Sequence, residues 1–528
     1  MFLVIPLVMC AAFGTANGAA LVPPGAGNVN LLSLKSNFLN IIHQADIQIN
    51  SQTIESTQPF INIQKHFQML SEMSLNDLAT VGNTLGFGDN IDNFRSAIYN
   101  GNSVAVNGNG FTNNKVFVPN TSVTNVAGNA VTAVVPQAPG HRYQTTCQAV
   151  QNTGCINDAI TSKLSRYIDT TAAASSVNGI FGNILSIQQL QNEMKPYYTT
   201  NGNYMIWYDY AVIKLSTLFE CLANIGLVRK FDCTLKLTLN TGTVGINVAN
   251  NTAGLVTLGY SLTPANNTFI NTCPIMVNYL NDTPANGGIP LTTRVIVAGL
   301  YVKAVPTTSV FNINLGQFTA SSSLPACRIY YSQIQLDPQK ASTYIENNTN
   351  KTVLYRSVLT NQYNNISGNF NQLINSGITH PVGILVVPFI SSSVAGFGDY
   401  AWKSPFDSAP STGHPISLTN FQVTVGGVNQ LQSTLSYTYE NFIEQINLAE
   451  TLTSADFGIS CGLFSQQYWE TFRTYYVNVE RSQLADKNVA RNINISFTNN
   501  CSVAIDILVF TIYSDSFKIN CETGLIQK

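Results

Sequence analysis

The chain has 528 residues, with 25 Lys and Arg against 27 Asp and Glu; it is 45% hydrophobic but only 10% charged, where an average globular protein carries about 25% charged residues. That length predicts two to four ordinary domains or two large β domains, and a formal net charge of −2 without a basic tail leaves no source of counterion release, which excludes direct nucleic-acid binding as the activity. A surface so poor in charge is covered by Asn, Gln, Ser and Thr, which suits a protein that buries much of its exterior against copies of itself.

The opening MFLVIPLVMCAAFG has no positively charged segment and its apolar run ends by Gly14, so it makes a poor signal peptide and falls short of the ~20 residues a membrane helix needs. It reads as a strand. ADIQINSQTI at 45–54 alternates apolar and polar residues, and PFINIQKHFQML at 59–70 has helical spacing that continues to Val81. Residues 85–200 are rich in Gly, Asn, Val, Thr and Ser, with weak helical pieces at 158–168 and 183–194, and are expected to project as loops. Strand patterns then recur in CTLKLTLN at 233–240, CRIYYSQIQLDP at 327–338, KTVLYRSVLTNQYNNIS at 351–367, NINISF at 492–497 and AIDILVFTIY at 504–513, with one further helical stretch, ENFIEQINLAETL, at 440–452. The fold class is all-β with short helices in loops.

FLVIPLV at 2–8 and ILVVPFI at 384–390 are both apolar β runs broken by one proline. After the first come ADIQINSQTI and PFINIQKHFQML; after the second come FQVTVGGVNQL at 421–431 and SYTYENFIEQI at 436–446. The same three-step order reads as a duplicated β domain, with a first copy at 1–300 carrying the 85–200 insertion and a second at 301–528. Strand-like sequence from 327 to 367 precedes ILVVPFI, and nothing comparable precedes FLVIPLV. The first copy is therefore expected to be short of its two opening strands, or to have them replaced by another chain or segment, because an unpaired ladder invites aggregation.

Residues suited to chemistry are sparse. The histidines at 43, 66, 141, 380 and 414 form no metal-ligand spacing, His43 and His66 read as structural, and no CxxC pair, GxSxG elbow, Walker loop or GxGxxG fingerprint occurs. No catalytic, cofactor-binding or metal residue is assigned, and Asp89 with Asp92 reads as a solvated loop. The ten cysteines are dispersed, only Cys147 and Cys155 lying close enough for a loop disulfide, so unpaired thiols are expected ahead of a disulfide framework. The sequons at Asn120, Asn266, Asn347, Asn365 and Asn494 are what a chain rich in Asn, Ser and Thr produces by chance. The aromatic clusters YYTTNGNYMIWYDY at 197–210 and YWETFRTYY at 468–476 fit buried strand residues or interface anchors better than a sugar platform. A secreted glycan-binding β-sandwich is the alternative that the sequons and aromatics keep open.

Several strings resemble the major capsid proteins of polinton-like viruses, adintoviruses and virophages. They are RIYYSQIQLDP (328–338), SPFDSAPST (404–412), SLTNFQVTVGGVN (417–429), YYVNVERSQLADKNVARNINISF (475–497) and IDILVFTIYSDSFKINCETGLI (505–526); upstream, NLLSLKSNF (30–38) and IKLSTLFECLANIGLVRKFDCTLKLTLN (213–240) are similar to first-domain segments of those proteins. The resemblance implies a double jelly roll, two tandem eight-stranded antiparallel sandwiches, the first apparently lacking its opening strands. It implies a non-enzymatic structural protein of the virion capsid, assembled inside the host cell as a homotrimer with a pseudo-hexagonal footprint that tiles an icosahedral shell. The implied partners are neighbouring capsomers, penton and minor capsid proteins, with an internal membrane beneath the shell as a further candidate, and no cofactor.

Overall fold

The computed structural model describes principally residues 1–14, 32–34, 37–57, 59–74, 204–250, 256–264, 295–302, 311–322, 327–391, 416–432, 436–448, 473–480, 489–501 and 503–528, with short pieces elsewhere. In the first half the order is β1 (Phe2–Gly14), β2 (Leu32–Leu34), a 3-10 turn (Phe38–Ile41), β3 (Ile42–Ile49), β4 (Gln52–Ser56) and α1 (Ile61–Glu72). Then come β5 (Ser122–Val123), β6 (Ala133–Val134), β7 (Tyr198–Asn201), β8 (Tyr204–Lys214), α2 (Leu215–Leu218), α3 (Cys221–Asn224), β9 (Cys233–Leu239), β10 (Gly242–Asn250), β11 (Val256–Pro264), β12 (Ile275–Val277), β13 (Val295–Val302), β14 (Phe311–Leu315) and β15 (Phe318–Ser322). The second half follows with β16 (Arg328–Tyr330), α4 (Pro338–Asn347), β17 (Asn350–Ile366), β18 (Asn369–Ile378), β19 (Pro381–Ile390), β20 (Leu418–Val425), β21 (Val428–Asn429), α5 (Tyr439–Leu448), β22 (Tyr475–Asn478), β23 (Arg491–Asn499), β24 (Ile505–Asn520) and β25 (Ile526–Gln527).

Eight strands of the second half run in two sheets, β17-β24-β19-β22, with the short β25 added against β24, and β18-β23-β20-β21. Counted from β17, that order is first, eighth, third, sixth opposite second, seventh, fourth, fifth, the strand order of a jelly roll. The first half repeats it. There β1 stands where β19 does, beside β8, and β3 lies between β4 and β9 as β20 lies between β21 and β23. The chain is a double jelly roll.

Two lanes differ between the halves. Antiparallel β13 takes the place of β24 beside β1, and β10, from later in the chain, takes the outer place that β17 holds in the second roll. The place of β18 has no counterpart: among the described residues no strand pairs with the outer edge of β9. The consequence shows in burial. Ile493, Ile495 and Phe497 of β23 are buried, whereas Cys233, Leu235, Leu237 and Leu239 of β9 stay half-buried with Lys236 between them exposed. One of the two expected opening lanes is thus filled from elsewhere, and along the other no strand lies among the described residues. The 85–200 insertion lies almost wholly outside the described residues.

The prolines explain the broken apolar runs. β1 pairs along Phe2–Ala12 with β8, but on its other side with β16 at residues 2–4 and with β13 from residue 7. Pro6 falls in the gap between the two partners, where its missing N–H costs no ladder bond. Pro388 sits beyond the short β22, which pairs only with Gly383–Val386. Both strands are continuously buried, Ile5 to Cys10 and Val382 to Phe389, so they lack the alternation of a half-exposed strand. Where β17 and β24 shift register, Asn365 adopts φ 58° and its N–H donates to buried Asp506 at 2.7 Å, which satisfies the bulged backbone.

Candidate functional site

The two rolls are joined by an apolar clamp and a polar clasp. The clamp is built on α1, whose spacing puts Ile63, Phe67 and Leu70 on a buried face. Phe67 enters the second roll among Phe442, Phe464 and Tyr476, with ring centroids 6.4, 5.5 and 5.9 Å away. Leu70 O accepts a 2.7 Å hydrogen bond from the Leu463 N–H. That approach requires Gly462, at φ +63°, because a Cβ there would lie 2.3 Å from Leu70 O.

The clasp surrounds β4 and the chain's last residues. Tyr355 Oη lies 2.9 Å from Ile54 O and 2.7 Å from Asp515 Oδ2. Lys528 Nζ donates to Ile54 O at 2.7 Å and lies 3.1 Å from Asp515 Oδ2. Arg356 donates through Nε and its backbone N–H to Glu220 Oε2 at 2.8 and 3.1 Å. Asn224 Nδ2 donates to Leu354 O at 2.8 Å, Arg229 N–H to Cys521 O at 2.9 Å, and Asn50 Nδ2 to Gly524 O. Burial pushes the Asp515 carboxyl up, but hydrogen bonds from Tyr355, the Ser516 N–H and Lys528 outweigh it and hold its pKa below the usual carboxylate range. Burial, then the neighbouring Asp515, drives the Tyr355 phenol far up, so it stays protonated.

The residues that the sequence singles out mostly serve packing. His43 is 3% exposed, its ring edge-to-face with Phe60 at a centroid distance of 4.9 Å, and burial pulls its pKa down to about 4, so it is neutral. His66 Nδ1 lies 2.8 Å from Asn37 Nδ2. His380 contacts Thr379 Oγ1 at 2.9 Å; His141, His414, Asp89 and Asp92 lie outside the described residues. Among the described residues no group of His, Cys, Asp and Glu could hold a metal ion. Cys10, Cys221, Cys233, Cys501 and Cys521 are free thiols, and burial raises the pKa of Cys10 and Cys221; Cys147 and Cys155 lie outside.

Trp469, Tyr475 and Tyr476 are buried. Tyr475 Oη donates to Ile416 O at 2.7 Å and accepts from the Leu418 N–H at 2.9 Å; Trp469 Nε1 donates to Thr474 O at 2.8 Å. Trp469, Tyr475 and Tyr476 of the 468–476 cluster are core, and these three rings offer no sugar platform. In the 197–210 cluster, Tyr210 is exposed.

What the molecule does expose is a strap between the rolls. Ile329, Tyr330, Tyr331 and Ile334 are 48%, 53%, 67% and 59% exposed, and Phe2, opposite Tyr330 in the β1–β16 ladder, is 47% exposed. Four large apolar side chains along one short extended segment, with Phe2 of β1 beside them, make a patch that a lone soluble subunit rarely carries. The RIYYSQIQLDP string marks the strap in the sequence. Phe67 and the clasp carry no local signal, because their partners lie hundreds of residues away.

No family profile and no curated protein matches the chain. Solved structures do. A chain of the Sputnik virophage aligns over 100% of this chain and 81% of its own, at 10% identity and TM-score 0.40. The Faustovirus major capsid protein aligns over 97% and 85%, at 8% identity and TM-score 0.36. A chain of the PBCV-1 virus capsid aligns over 99% and 89%, at 9% identity and TM-score 0.31.

Proposed function

We propose that the protein is a major capsid protein of the double jelly-roll kind, a structural subunit without catalytic activity whose work is self-association. The observation that carries this reading is the joining of two jelly rolls of one strand order, unequal in detail, through a buried joint in a single polypeptide. Two non-identical rolls present different flanks, as a closed ring of heterologous contacts requires, and three such chains place six rolls around one axis. The proposed division into a first roll at 1–300 and a second at 301–528 falls near the end of β13, whose last residues, Tyr301 and Val302, still pair with β1. The exposed strap supplies one of the apolar flanks, and a surface with few charges lets such flanks close without stranding desolvated ions.

On this reading the protein resides in the virion capsid, contacts neighbouring capsomers, penton and minor capsid proteins, and does not grip the genome directly. Among the described residues no helix is long and apolar enough to cross a membrane. The test is the oligomeric state of the purified full chain by native mass spectrometry and light scattering. A stable trimer of the 57.3 kDa chain, seen as hexagonal blocks by negative-stain microscopy, is expected; a monodisperse monomer at high concentration refutes the assignment.

A further inference from the structure

Glu55 takes no part in the hydrogen bonds that close the clasp, yet it sits in the middle of them. It follows Ile54, whose carbonyl receives Tyr355 and Lys528 of the second roll, and it is 4% exposed. Among the described residues its Oε2 has no hydrogen-bond partner, and its side-chain hydrogen bond is to the Cys221 thiol, a weak donor. A carboxylate held there would be a buried charge with almost nothing to solvate it, a costly arrangement compared with the neutral acid.

The charged groups around it do not supply that solvation. Lys528 and Asp515 are matched at 3.1 Å, and Arg356 and Glu220 at 2.8 Å, so Glu55 is left over. Lys65 of α1 is half-buried with Nζ 3.3 Å from Gln68 Oε1. Gln68 in turn donates to Glu72 at 2.8 Å; among the described residues no hydrogen bond or ion pair joins Lys65 to Glu55, and the Lys65 charge, the first to oppose burial, does not cancel it. Burial lowers the Lys65 pKa, while Glu55, Glu220 and Glu72 act to raise it.

We propose that the joint is a proton-gated latch: Glu55 keeps its proton while the rolls are clamped and releases it when the joint opens, so that rising pH loosens one roll against the other. Burial, opposed in part by Lys65, Cys221 and Lys528, raises the Glu55 pKa from 4.5 to about 8. The closed joint therefore holds a proton that the open, hydrated joint has lost from pH 4.5 upward. Opening is insensitive to this group below pH 4.5, becomes about tenfold more favourable per pH unit from there to pH 8, and levels off above pH 8, where both forms are ionised.

The test is hydrogen–deuterium exchange of the full chain from pH 5 to 9, corrected for the intrinsic base-catalysed rate and read on peptides covering 52–56 and 353–358. The wild type is expected to lose protection about tenfold per pH unit up to pH 8, and Glu55→Gln, which fixes the neutral state, to stay flat. Lys65→Met is expected to retain the slope, which separates the carboxyl from the amine. A wild-type slope of zero, a slope surviving Glu55→Gln, or a slope abolished only by Lys65→Met overturns the proposal. Should Glu55→Gln not fold, the infrared band of the protonated carboxyl decides in the wild type of known assignment: a band persisting to pH 7 and fading near pH 8 supports the latch, and complete ionisation below pH 6 overturns it.

Discussion

Replacing Phe67 by alanine tests whether α1 really locks the two rolls together. The side chain is 2% exposed and faces three aromatic rings at 5.5–6.4 Å. Truncating a buried Phe costs about 3–5 kcal/mol, since the surroundings only partly close the cavity. Three lost ring contacts, each worth up to ~0.5–1.5 kcal/mol beyond area, place this site at the upper end, at about 4–5 kcal/mol. For rolls of a couple of hundred residues, ~2–4 °C per kcal/mol converts that to a fall of about 8–20 °C in Tm. The loss is not spread evenly. Phe67 belongs to the first roll and its pocket to the second, so the variant should also split one calorimetric transition into two. Phe67→Leu fills most of the cavity and should retain a single transition. A Phe67→Ala protein with an unchanged midpoint and one transition would show that α1 merely rests on the second roll.

Three further outcomes are expected. Gly462→Ala forces a Cβ to 2.3 Å from Leu70 O in a left-handed backbone and should cost about 2–4 kcal/mol in urea unfolding; a neutral variant would mean that the 462–463 backbone does not hold α1. Tyr331→Ser and Ile334→Ser, both at exposed positions of the strap, should leave the Tm of the isolated subunit within about 1 °C while each weakens association roughly 10- to 100-fold, the worth of burying one large apolar side chain; unchanged trimer dissociation by dilution mass photometry would remove the strap from the interface. Tyr355→Phe removes the hydroxyl shared by Ile54 O and Asp515 and should cost about 1–3 kcal/mol by denaturant titration. The same change should raise the Asp515 pKa, because a hydrogen bond that favours the ionised form is lost. Asp515 stability is then retained above the usual carboxylate range and lost at a higher pH on acidification than in the wild type.

Much of the fold was legible because it rests on local periodicity. NINISF and its neighbours alternate and become β23, half in and half out. The proline-broken runs FLVIPLV and ILVVPFI become the equivalent strands β1 and β19, and the hairpin and helix after each are equivalent too. Laying one copy over the other raises the expectation of absent opening strands; β10 stands in one of those lanes, and among the described residues no strand pairs with the outer edge of β9. What stayed hidden was long-range. Nothing in KTVLYRSVL says that Tyr355 will reach Ile54 or that Arg356 will meet Glu220, and nothing around Glu55 distinguishes it from a solvated strand residue in QTIES. The filling of one opening lane by β10 was equally invisible, since a strand's own pattern names its buried face and not its neighbour. The 468–476 aromatics could be read either as core or as a binding platform, and for Trp469, Tyr475 and Tyr476 burial decided between them.

The inequality of the two rolls bears directly on what the joint is for. A ring of three chains closes only if the angle between the two outer flanks of each chain is held close to the value that the ring demands, and an error in that angle repeats at every contact. An apolar clamp by itself sets distance well and rotation poorly, because rings slide on one another at little cost. The clasp adds direction: Arg356 takes one carboxylate through two donors, Lys528 donates to Ile54 O, and the single Tyr355 hydroxyl proton lies between Asp515 and Ile54 O. Partly buried polar contacts of this kind contribute little net stability and are useful for selecting one arrangement over its neighbours. A joint built from both is what a subunit needs if its two dissimilar sandwiches must present a fixed pair of flanks, and it would be superfluous in a protein whose two halves worked independently.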